Sequence, residues 1–135
     1  MRMVKYVAPA VLVLGLLVGL ALVRADETPK YTIKQVMDLA HKDNKDTGEV
    51  ALYNKLKKST DADEQKKLGA QLVELYTALG QSKPPKGDAD DWKKRSDAVV
   101  AAAKDVADGK DGGVDALKKA NDCMGCHMAH RMFAK

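Results

Sequence analysis

The chain is short of cysteine and of large flat side chains. Its 135 residues include two cysteines, one phenylalanine, one tryptophan and four tyrosines. Two cysteines, Cys123 and Cys126, exclude a scaffold held by several disulfides. With aromatics at 4%, Ala, Leu and Val must build most of the core, and a flat non-protein group would be a fitting filler. No stretch alternates apolar and polar residues with period two, so no half-buried strand is expected. There is no internal repeat. The length suits one modest domain rather than two. At 45% hydrophobic and 31% charged, the chain is neither a disordered polyelectrolyte nor a polytopic membrane protein.

A charge excess of one sign is also missing. The formal net charge is +4, but three of the 23 basic residues, Arg2, Lys5 and Arg24, stand in the first 25 positions. That leaves 20 bases against 19 acids, interleaved, in residues 26–135. A nucleic-acid binder needs a concentrated basic face, so that partner class is excluded.

Residues 1–25 read as an export signal. Arg2 and Lys5 form a basic start, an apolar run follows from Val7 to Val23, and Val23-Arg24-Ala25 offers small residues for cleavage after Ala25. The rival is an uncleaved membrane anchor, because the run of about 17 residues is at the lower limit for a spanning helix. Either way residues 26–135 are expected as one domain outside the cytoplasm, periplasmic or otherwise exocytoplasmic. A cysteine pair there must be oxidised, metal-bound or otherwise used.

The remainder predicts an all-α chain. Thr32 with Gln35 is a capping box, and Ile33, Val36, Met37 and Ala40 form the stripe of a first helix that should fray near Asn44. Residues 49–58 are a short helix or an extension into the next. Ser59-Thr60-Asp61 offers a cap for a helix whose stripe is Leu68, Leu72, Leu75, Tyr76 and Leu79, with Gly80 as its stop. Pro84 and Pro85 make residues 81–87 a crossing loop. Asp88 caps a third long helix carrying Trp92, Val99, Ala103 and Val106. After Gly109 and Gly112-Gly113, a last helix is expected from about Val114 to the C-terminus, with Leu117, Ala120 and Met124 inward. The simplest packing is an antiparallel four-helix bundle.

That last helix contains Cys123-Met124-Gly125-Cys126-His127, the attachment pattern of c-type haem. Residues three apart share a helix face, so both sulfurs can form thioethers to one porphyrin, and His127 can reach the iron as proximal ligand. The rivals are a dithiol redox pair and a metal site. A redox pair normally sits at a helix N-terminus, whereas this one is expected near a helix C-terminal end. A zinc site needs two further ligands, and His130 offers only one. His130 itself is expected to face solvent in the last turn, with Met128 and Met132 packing.

Ala116-Leu117-Lys118-Lys119-Ala120, the Cys-x-x-Cys-His string and Arg131 four residues after His127 resemble the last helix of the cytochrome c-prime family and its c-556-like members. The resemblance implies a four-helix bundle with one covalent haem c and its iron on the last helix. It places Arg131 and Lys34 near the haem propionates and the sixth iron position against the first helix, where Met37 stands. His41, one turn on, is the alternative distal ligand; from its position alone it reads as a solvated residue near the helix end. Dimers through the first two helices are also implied. The expected function is one-electron transfer with redox partner proteins. The alternative is binding of nitric oxide or carbon monoxide at an open or displaceable sixth site. An enzyme such as a peroxidase is not expected, because no arginine accompanies His41 on the first helix.

Overall fold

The computed structural model describes residues 28–132, so the leader expected at residues 1–25 lies outside the described residues. Those described are all helical, with no strand among them, in packing compatible with a helical bundle. The helices are α1 (Ile33–His41), α2 (Leu52–Lys58), α3 (Ala62–Gln81), α4 (Ala89–Ala107), α5 (Gly113–Ala120) and α6 (Cys123–His130). None of them is long and apolar enough to cross a membrane.

The helix starts follow local chemistry. Thr32 Oγ1 accepts from the Gln35 backbone N–H at 3.2 Å, and Gln35 Oε1 accepts from the Thr32 N–H at 2.9 Å, closing the expected capping box. Asp61 caps α3 and Asp88 caps α4, each accepting from the N–H three residues on, at 2.7 and 2.8 Å. Acidic residues fill both first turns, where the helix dipole favours them.

The helix ends differ from expectation in three places. α1 stops at His41 rather than near Asn44, and the loop that follows bonds to its own side chains: Asn44 Oδ1 accepts from the Asp46 and Thr47 N–H groups, and Asp43 Oδ1 from that of Ala51. Gly80 does not stop α3, which runs on to Gln81. It is instead a contact point, where a Cβ would stand 3.2 Å from Ser96 Cβ. Most consequential, the expected last helix is two helices. The chain breaks at Asn121-Asp122, and Asp122 Oδ1 caps α6 by accepting from the Gly125 N–H at 3.0 Å. Met124, expected inward, is 74% exposed, and Met128 and Met132 are exposed with it.

α3 and α4 form an antiparallel pair, with Gly69 against Val106 and Ala107 at one end and Gly80 against Ser96 at the other. α1 and α2 pack on α3, α5 packs on α4, and α6 rests on α4. Leu56, Leu72, Tyr76 and Leu117 are fully buried where these helices meet. Each such burial contributes about 1.5–3 kcal/mol. Trp92, Tyr53 and Tyr76 are buried in the same cluster, so three of the few aromatics supply flat filler to this core.

Candidate functional site

Asp122 does more than start a helix. It makes Cys123 the first helical residue, so Cys123, Cys126 and His127 fall within about 100° of arc on α6. That arc borders a cavity of about 110 Å³. α1 contributes Met37 and His41 to its lining, α3 Tyr76 and Leu79, α4 Arg95, Ser96 and Val99, and the break before α6 Asn121 and Asp122. The two cysteines, His127, Met37 and His41 therefore border one space although 82 residues of sequence separate Cys123 from His41. A larger concavity of about 960 Å³ runs along the loop after α1. It shares His41 but has no cysteine, and its polar lining of loop residues carries no comparable chemistry.

Both thiols are free; Cys123 is exposed and Cys126 half-buried. Burial pushes the Cys126 thiol up, and Arg95 opposes the shift without reversing it. The pair lies at a helix N-terminus, not near a helix C-terminal end as expected. The Asp122 carboxylate occupies that N-terminus and offsets the dipole there. Cys126 thus keeps its proton at neutral pH instead of standing ready as a thiolate.

His41 is not a solvated residue at a helix end. Its ring stands edge-on to Tyr53 at 5.1 Å and beside Tyr76 at 5.8 Å. Asn121 Nδ2 donates to the Tyr76 hydroxyl oxygen at 3.2 Å, which leaves the phenol proton to donate to His41 Nε2 at 3.3 Å. Burial lowers the His41 pKa to about 4, with Lys57 and His127 adding to the shift. The repulsion from His127 is a measure of their proximity. Burial also raises the Tyr76 phenol well above its ordinary value.

The His41 shift makes the stability of the chain depend on pH. An unfolded histidine takes a proton near 6.5, whereas the folded ring resists until about 4. The stability from the neutral ring is full above pH 6.5 and is lost as pH falls towards 4. In urea unfolding, His41→Gln is expected to lose about 1–2 kcal/mol less than the parent chain between neutral pH and about pH 5. Equal acid losses in the two chains would remove His41 as the cause.

The structure does not bring the two expected propionate contacts to the cavity. Lys34 projects from α1 into solvent and pairs with Asp38 at 2.5 Å. Arg131 is the exposed C-cap of α6, its N–H bonded to the His127 carbonyl at 2.9 Å. The cationic side chain in the lining is Arg95, which sequence reasoning missed. Its Nε donates to Asp91 at 2.7 Å, and it reaches Asp122 at 3.5 Å. Its one sequence signal is its spacing, three residues after Trp92 and four before Val99, which places it at the edge of the buried α4 stripe. Tyr76 and Asn121 were also missed as polar partners, because a tyrosine on an apolar stripe reads as core.

Among the described residues no group of three or more His, Cys, Asp and Glu is arranged to hold a metal ion. The donor set does fit an iron porphyrin: two thiols three residues apart, an adjacent imidazole, and a thioether and a second imidazole on another helix bordering the same space. Fold and site define a small all-helical protein with a Cys-x-x-Cys-His cavity. No family model, curated protein or solved structure matches the chain.

Proposed function

We propose that the chain is an exported mono-haem c-type cytochrome that carries one electron at a time between redox partner proteins. The observation that supports this is the meeting of Cys123, Cys126 and His127 with Met37 and His41 around one cavity. When bound, haem c supplies an iron that changes oxidation state by one electron. The chain does the rest. Cys123 and Cys126 would hold the porphyrin through thioethers, His127 would offer a nitrogen to the iron, and Met37 or His41 would offer it a second donor. Leu79 and Val99 keep that space apolar, which tunes the potential. Arg95 is held by two carboxylates and is not poised to stabilise charge on a bound oxidant, so an enzymatic role is not proposed. Dimers through the first two helices, as in the family this chain resembles, would use α1 and α2; Leu39 on α1 is 48% exposed.

A second reading follows from the Tyr76–His41 bond. With Nε2 held by the phenol, His41 is withdrawn as a donor and Met37 alone remains. If Met37 binds weakly, small gases such as nitric oxide or carbon monoxide reach the sixth site.

Optical spectra of the protein matured with haem, oxidised and reduced, with and without carbon monoxide, separate the readings. Sharp reduced bands unmoved by carbon monoxide are expected of the electron carrier. Broad bands that move would give gas binding. If the bands are sharp, Met37→Ala or His41→Ala should convert them to the broad form, and the variant that does so names the ligand. Matured protein without covalent haem would end both readings.

A further inference from the structure

α6 is short and rests on α4. One of its residues is buried, and that is His130, at 2% exposure. The position expected to face solvent is therefore the one that anchors the helix. Nε2 of its ring stands 2.8 Å from Asp91 Oδ2, and Nδ1 stands 3.0 Å from the Lys86 carbonyl oxygen. Both oxygens are acceptors, and whichever ring nitrogen carries a proton donates to its partner. The ring also stands edge-on to Trp92, with centroids 5.2 Å apart.

The surroundings are built for this seat. Gly87 has φ +85°, and a Cβ there would lie 2.5 Å from the Ala129 carbonyl oxygen and 2.8 Å from His130 Nδ1. The loop after Pro84-Pro85 thus brings bare backbone against the end of α6. Asp91 is itself held, since the oxygen that faces His130 also accepts from Arg95 Nε. Arg95 in turn reaches Asp122, the cap of α6. The first turn of α6 is tied to α4 through Arg95, and the last turn through His130. His127 lies three residues before His130, about one turn away, and moves with it.

We propose that His130 is the positioning residue of the cavity: seated among Asp91, Trp92 and the Lys86 carbonyl, it fixes α6 on α4 and so fixes where Cys126 and His127 stand. The inference deepens the haem reading, on which its electrochemical readout rests. A merely structural residue would weaken the whole bundle; a positioning residue loosens α6 alone and disturbs the iron ligand it carries.

The test uses the full chain matured with haem, as wild type, His130→Ala and His130→Gln, followed by amide hydrogen exchange and midpoint potential. In His130→Ala the α6 amides are expected to exchange about tenfold faster or more, with α3 and α4 unchanged. The midpoint potential is expected to shift as well. Glutamine, whose amide can donate to one of the two acceptors, should restore part of both. Unchanged α6 exchange would overturn the inference. So would equal acceleration across α3 and α4, or faster α6 exchange at an unchanged potential, each of which makes His130 structural only. A wild-type chain without covalent haem would overturn the haem reading alone, and the exchange pattern would still decide the role of His130.

Discussion

Replacing Cys123 and Cys126 with alanine together is expected to abolish the covalent haem proposed above, so that no haem colour stays with the denatured chain and its mass is that of the polypeptide. The thioethers are the bonds that survive denaturation, and both thiols are gone. Each single variant keeps one thiol and is expected to retain one attachment at reduced yield. The core of α3 and α4 closes on protein side chains, with Leu72, Tyr76, Trp92 and Ala103 buried, so most of the helical circular dichroism should remain in the double variant. Mass spectrometry after maturation and denaturation decides it. Haem retained by the double variant would mean that the cysteines are not its attachment points.

Gly69→Val is expected to destabilise the packed α3–α4 pair strongly although it alters no charge. Removing a mid-helix glycine normally favours a helix by about 0.5–1 kcal/mol. Here a Cβ would lie 2.7 Å from the Ala107 backbone nitrogen and 2.8 Å from Val106 Cγ1. A backbone nitrogen cannot give way without moving α4, so overpacking outweighs propensity. A net loss of about 3 kcal/mol is expected, a large part of the roughly 5–15 kcal/mol that holds a typical domain. Thermal unfolding should fall by about 10 °C. Lys67→Val, on the exposed side of the same helix, should change stability by about 0.5 kcal/mol or less. Equal small effects at the two positions would mean that α3 and α4 are not in close contact at Gly69.

Much of this is legible in the sequence, and the reason is locality. The Thr32–Gln35 box and the caps at Asp61 and Asp88 act over three residues, so they can be read from spacing alone. The stripes of α3 and α4 repeat over five turns, which makes their buried faces plain. The same cap signal was present at Asp122, three residues before Gly125, but the apolar stripe from Val114 to Met124 runs past it. Periodicity reports a face only while the helix is unbroken. The exposure of Met124 follows from that break.

His41 and His130 show the limit in another way. A histidine's surroundings come from elements remote in sequence: Tyr76 and Asn121 for His41, Lys86, Asp91 and Trp92 for His130. Nothing adjacent to either residue announces those partners, and so both were expected in solvent. Arg95 is missed for the same reason, since its place in the lining depends on how α4 faces α6.

Composition and spacing alone determine that the described residues are helical, where the long helices begin, and that one string, Cys123 to His127, is the candidate site. These are properties of residues within a turn or two of one another, and short-range sterics and hydrogen bonding decide them. The tertiary structure decides the rest: that the string opens a separate helix, that Met37 and His41 come to the same cavity, and that His130 is buried as the seat of that helix. Those outcomes depend on which surfaces meet when α1, α3, α4 and α6 pack, and such meetings are set by the whole core at once.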